Sequence, residues 1–162
     1  MEKRTKYHNY SLTNTWTGNR GTGTSGYRLY DRSHLISVHN KVDIECSSDP
    51  SFLGDATKYN PEELLLASLS SCHMLWYLHL CADAGVVVTE YNDHASGTME
   101  ESADGGGRFV EVILHPRVTV SHSSMIDMAN ALHQKANALC FISNSCNFPV
   151  KHQPTCNAGY NE

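Results

Sequence analysis

An α+β fold is predicted by the order of local signals along the chain: strand-forming runs, one long helix, further strands, a second helix. Three observations carry this reading. Tyr10 to Thr17 alternates β-forming residues. Asn60-Pro61-Glu62-Glu63 opens a run of helix formers that lasts to Ala84. Ile126, Ala129, Leu132, His133 and Ala136 recur at helical spacing near the C-terminal end. At 162 residues the chain is long enough for a real core, and one domain over 1–162 is expected.

Each element has its local reason. Gly18-Asn19-Arg20-Gly21 reads as a turn after the first strand, with Tyr27 to Tyr30 and His34 to His39 as the next strands. Asn40 to Tyr59 is an irregular connection, long enough to suggest a functional loop. In the long helix Asn60 is the N-cap, Pro61 the first residue, and Glu62 and Glu63 lie against the positive end of the dipole. Gly85 supplies the left-handed residue after it. About 24 residues give a helix of about 36 Å. It is apolar nearly all round from Leu64 to Leu80, so burial on most sides is expected, by sheet and by a second chain.

Val86 to Tyr91 reads as a strand, and His94 to Glu100 with Arg108 to Leu114 as a hairpin about Asp104-Gly105-Gly106-Gly107. Pro116 marks a bulge or an edge before a strand from Arg117 to Ser121. Ser123-Ser124 is expected to cap the second helix, Met125 to Leu139. No repeat and no linker interrupts the pattern.

Composition removes several functions. Lys+Arg 12 against Asp+Glu 17 leaves a net charge of −5 without a basic run, which disfavours nucleic acid as a partner. The start of the chain has no apolar signal region, and the Leu64–Leu80 run is short and broken by serines and histidines. No membrane partner and a cytoplasmic location are therefore expected. Six cysteines lie at irregular spacings with no C-x-x-C and no zinc-finger pattern, and the histidines make no metal spacing; no metal and no cofactor are expected. Cys46, Cys81, Cys146 and Cys156 have no local partner and read as packing thiols.

Cys72 and Cys140 are different. The ordinary role of a lone cysteine on an apolar helix is core packing. Around Cys72, however, Ser68 and Ser71 make the helix unusually polar, and Trp76 one turn on walls one side of the thiol. A thiol in the interior of an apolar helix is inert unless a cation lies close. His73 faces another way and His79 is two turns distant, so the cation must come from elsewhere in the fold. Cys140 sits at the end of the second helix or at a break before a new turn.

These residues resemble a known family. Asn60-Pro61-Glu62-Glu63-Leu64-Leu65, with a cysteine ten positions after Glu62, resembles the first signature of the OsmC/Ohr family (osmotically inducible protein C and organic hydroperoxide resistance proteins). Cys140-Phe141-Ile142-Ser143 is similar to its second motif, Cys-Pro-x-Ser, with Phe141 at the usual proline. The resemblance runs from about Tyr10 to Val150. It implies antiparallel sheets around a long buried central helix plus a second helix, assembled as an intertwined homodimer. It also implies a cysteine-based thiol peroxidase acting on organic hydroperoxides in oxidative stress defence. Cys72 would be the peroxidatic residue and Cys140 the resolving one, with the Cys72–Cys140 disulfide reduced by a dithiol, lipoyl-type or another thiol. Glu62 and an arginine of the N-terminal sheet would position and polarise the thiolate.

Arg20 in its turn and Arg28 at a strand start both qualify, and Arg28 is favoured because an inward-facing strand arginine must have a partner. Glu62 lies about 15 Å along the helix from Cys72, so it acts through a long arginine or from a partner chain. Glu63 reads as the capping-box residue. Two alternatives stand beside this: a cysteine hydrolase, which needs an oriented histidine beside Cys72, and a non-enzymatic protein binding an apolar ligand at a dimer interface.

Overall fold

The computed structural model describes residues 5–159. The chain divides into two compact units that part after Leu64, within the first turns of the long helix.

In the first unit β1 (Thr13–Trp16), β2 (His34–Ser37) and β3 (Ile44–Cys46) form an antiparallel sheet in that order. The third strand lies inside the stretch expected to be irregular. The loop from β1 to β2 is held by its own polar groups. Trp16 Nε1 donates to the Asp31 carbonyl at 2.8 Å, and Asp31 N donates to the Gly18 carbonyl at 2.9 Å. A Cβ at Gly18 would lie 1.9 Å from the Asp31 oxygen, so glycine is required there. Residues 21–30 are turns and bends, which corrects the expected strand from Tyr27 to Tyr30. The aromatic residues that suggested a strand are used otherwise: Tyr27 and Tyr30 flank the Arg32 guanidinium at 4.4 and 4.3 Å.

The long helix α1 (Pro61–Asp83) begins as expected. Asn60 Oδ1 accepts from Glu63 N at 2.8 Å and Glu63 Oε2 accepts from Asn60 N at 3.1 Å, a reciprocal capping box. Gly85 follows at φ +72°. Within the chain only one stripe of α1 is fully buried: Leu69, His73, Tyr77, Leu80 and Cys81. In the single chain the other faces stay open, with Leu75 63 % exposed, which leaves the surface expected to be covered by a second chain. At its full length α1 is long and apolar enough to cross a bilayer, by length and composition only. Its polar side chains nevertheless bond inside the unit: Ser70 Oγ donates to Asp93 at 2.6 Å, and His73 meets His133.

The second unit adds β4 (Val88–Asp93), β5 (Ser96–Glu101), β6 (Gly107–Leu114), β7 (Pro116–Val120), α2 (Ile126–Leu139), β8 (Val150–His152) and β9 (Thr155–Ala158). One sheet has the order β4-β7-β9 and the other β5-β6-β8. The hairpin β5–β6 is antiparallel as expected, but β8 and β9 pair parallel to β6 and β7, so both sheets are mixed. Pro116 marks neither bulge nor edge. It takes the first position of the middle strand β7, opposite Asp93, where its missing N–H does not interrupt the ladder. Ser123 and Ser124 lie in a short 3-10 turn and give α2 no side-chain cap.

Two clusters make the core of this unit. Leu69 packs with Val112 and Leu114 of β6. Tyr77, Leu80 and Cys81 of α1 pack with Val118 and Val120 of β7 and with Ala129 and Ala136 of α2. Between them lies a polar group: His73 Nε2 and His133 Nδ1 are 3.0 Å apart with both rings buried. Tyr77 stacks on His133 at 3.9 Å, and His152 of β8 is 5.6 Å from His73.

Burial, reinforced by the neighbouring imidazoles, lowers His73 to about 4 and His133 to about 3. Both rings are neutral in the folded chain near neutral pH, whereas unfolded histidine takes a proton at about 6.5. Their effect on stability is therefore absent above pH 6.5 and becomes destabilising as pH falls towards 4. Each histidine contributes a slope of up to about 1.4 kcal/mol per pH unit in that window. Urea midpoints should fall between pH 7 and pH 4.5, and His73→Leu/His133→Leu should flatten that fall. An equal slope in the double variant would contradict this origin.

Candidate active site

The two cysteines singled out in the sequence come together in the second unit. Cys72 projects from the flank of α1, about 100° around the helix from the buried His73 stripe, and is half-buried. Cys140 ends α2 as its C-cap residue, with φ −66° and ψ 110°, and is 1 % exposed. The two thiols are close enough for Cys72 to raise Cys140.

The electrostatics of the pair are unequal. Burial pushes Cys140 up to about 11, and hydrogen bonding to Cys72 adds to this. The Ser143 N–H, 3.4 Å from Cys140 Sγ, opposes the rise without cancelling it. Cys140 therefore holds its proton at neutral pH. A turn fixes this placement: Asn144 N donates to the Cys140 carbonyl at 3.0 Å, and Ser145 Oγ to the Phe141 carbonyl at 2.8 Å. Phe141 does the work of a turn residue without a proline. Its ring, 65 % exposed, rests edge-on against Trp76 at 5.5 Å. Leu75, Trp76 and His79 line an open, mainly apolar hollow on the same stretch of α1.

Burial raises Cys46, Cys81, Cys146 and Cys156, which suits packing thiols. Among the described residues no cluster of histidine, cysteine and carboxylate side chains has the arrangement to hold a metal.

The first unit holds the other expected site residues. Glu62 sits in the first turn of α1, half-buried, and its Oε2 has no hydrogen-bond partner among the described residues. Arg28 is exposed and lies in a turn, so the inward-facing strand position that favoured it is absent. Arg20 is ion-paired with Asp31, its Nε 2.9 Å from Oδ2. Sequence reasoning passed over Arg32, which is seated between two tyrosine rings and donates to the carbonyls of Tyr30 and Tyr27 at 2.7 and 2.6 Å. The signal was present in Tyr27-x-x-Tyr30-x-Arg32, two aromatics in a turn within reach of one guanidinium. The buried histidine pair carries no such signal: His133 falls at the helical spacing of the α2 core stripe, and nothing local pairs it with His73.

A family model described as OsmC-like protein matches residues 54–155. No curated protein matches the chain. Among solved structures, an OsmC-like protein of unknown function from Vibrio cholerae is similar over 92 % of this chain and 100 % of its own, with a TM-score of 0.82 and 28 % identity. An organic hydroperoxide resistance protein from Elizabethkingia anophelis is similar over 95 % of this chain and 100 % of its own, with a TM-score of 0.66 and 21 % identity. An organic hydroperoxide resistance protein OsmC from Legionella pneumophila covers 93 % of this chain and 98 % of its own, with a TM-score of 0.65 and 16 % identity. The family match takes in both cysteines, and the α+β architecture is the one those structures share: the chain belongs to the OsmC-like family.

Proposed function

We propose that this chain is a cysteine-based thiol peroxidase that reduces organic hydroperoxides, with Cys72 as the attacking residue and Cys140 as the resolving one. The observation that carries the reading is the unequal pair: a reachable Cys72 with a buried, protonated Cys140 beside it. The names of the similar structures, which include organic hydroperoxide resistance proteins, support the substrate class.

The chemistry balances with these residues. The Cys72 thiolate attacks the outer peroxide oxygen, the O–O bond breaks, and the alkoxide takes a proton to leave as an alcohol. Cys72 is then a sulfenic acid. The Cys140 sulfur attacks it, the S–O bond breaks, and water carries away the hydroxyl and the Cys140 proton. A dithiol reductant, lipoyl-type or another thiol, returns both cysteines to thiols by exchange. The apolar hollow beside Trp76 favours alkyl or aryl hydroperoxides over hydrogen peroxide. A homodimer in a reducing cytoplasmic setting completes the proposal, and the exposed Leu75 face of α1 is the surface a second copy would cover.

A variant series separates the roles. Cys72→Ser should abolish turnover of cumene hydroperoxide. Cys140→Ser should consume one equivalent and leave Cys72 trapped as sulfenic or sulfinic acid, detectable by dimedone labelling and mass spectrometry. Normal turnover of Cys140→Ser with a small dithiol would remove Cys140 from the mechanism. Binding of cumyl alcohol without any oxidation of Cys72 would favour the ligand-binding alternative.

Thiolate activation completes the proposal, with Arg28 and Glu62 as the activating pair the family resemblance implies. Arg28 has no ion-pair partner among the described residues, in contrast to Arg20. A guanidinium is a permanent charge that can position a thiolate and the developing alkoxide. Arg28→Ala should therefore slow peroxide reduction at least tenfold, measured as consumption of cumene hydroperoxide. Full activity in Arg28→Ala together with loss in Arg20→Ala or Arg32→Ala would transfer the role to that residue.

A further inference from the structure

We propose that the His73–His133 hydrogen bond is a positioning element that holds α1 and α2 in the register at which Cys140 closes on Cys72. The inference rests on the peroxidatic and resolving roles proposed above and names residues that mechanism does not use.

The placement is specific. His73 immediately follows Cys72 on α1, and His133 lies seven residues, about 10 Å of helix, before Cys140 at the end of α2. The helix surfaces around them are otherwise apolar: Leu69, Tyr77 and Leu80 on α1, Ala129 and Ala136 on α2. Apolar contact is non-directional and does not by itself define one angle between two rings. A 3.0 Å hydrogen bond between rings only 4° from parallel fixes both distance and angle. Tyr77 stacked on His133 and His152 beside His73 hold the two rings in their planes.

The pair is costly to the fold. His73 Nδ1 and His133 Nε2 find no hydrogen-bond partner among the described residues, although both residues are fully buried. Two apolar side chains of similar volume would leave no such orphan. A buried polar pair kept under that cost is best understood as fixing one arrangement of the helices, the role buried polar residues serve in setting helix register.

One arrangement matters here because disulfide closure is geometrically narrow. The two Cβ atoms must come within about 3.5–4.5 Å with a defined dihedral angle. In the resolving step the Cys140 sulfur bonds to Cys72 sulfur while the S–O bond breaks and water leaves. A slip of an ångström between α1 and α2 delays this step. Attack on the peroxide needs only Cys72 and its cation, so it is unaffected.

The test follows the two steps separately. Reduced protein is mixed with one equivalent of cumene hydroperoxide and quenched over time. Consumption of peroxide reports attack; dimedone-labelled Cys72 and the Cys72–Cys140 linked peptide report closure. His73→Leu/His133→Leu removes both partners and leaves no lone imidazole, so the fold should be retained at equal or higher stability. Its attack rate should stay within twofold of wild type while closure slows at least tenfold. His133→Asn, which offers an amide near the position of Nδ1, should recover closure to within threefold. Wild-type closure in a stably folded double leucine variant would overturn the inference, as would equal slowing in the asparagine variant. Wild-type protein that reacts with peroxide yet never forms the Cys72–Cys140 link would instead overturn the proposed mechanism.

Discussion

The approach of Cys140 to Cys72 is the contact on which the proposed chemistry depends. Two thiols from distant parts of the sequence meet because α2 ends where its last residue can turn onto the flank of α1. The helices bring them together by opposite means. α1 leaves Cys72 off its buried stripe, so the thiol is reachable. α2 terminates at Cys140 and keeps it out of solvent, so the thiol stays protonated, as the proposed resolving role requires. A pair with equal exposure would lack this division of labour.

The surrounding structure can be understood as support for that contact. The turn after α2 is fastened by Asn144 N on the Cys140 carbonyl and by Ser145 on Phe141. Asp93 ties the same region of α1 to the sheets through Ser70 and the His115 N–H. Phe141 against Trp76 joins the two cysteine-bearing segments once more, on the solvent side. Where a proline would stiffen the turn by fixing φ, this chain uses backbone and serine hydrogen bonds and an aromatic contact instead.

Much of this was legible in the sequence because the signals were local. The α1 start is written in four residues, Asn60 to Glu63, whose capping bonds close within one turn. The β5–β6 hairpin and α2 follow from alternation, glycine and helical spacing. Long-range features were less legible. β8 and β9 are three and four residues long, too short for their alternation to mark them as strands, and they pair in parallel with β6 and β7. The Tyr27–Tyr30 strand failed because β-forming aromatics were recruited by Arg32, a cation–π contact that propensity does not register. Of the candidate site, the two cysteines were legible as motif residues. The histidine pair was hidden because two residues sixty apart in sequence become partners only when the helices pack.

The most direct measurement of the central claim is peptide mapping of the unmutated protein after one equivalent of cumene hydroperoxide. The account predicts a single new crosslinked peptide joining Cys72 to Cys140, with Cys46, Cys81, Cys146 and Cys156 still free and the link reversed by a dithiol. A Cys72 carried to sulfinic acid with Cys140 still reduced, or a link through any other cysteine, would contradict it.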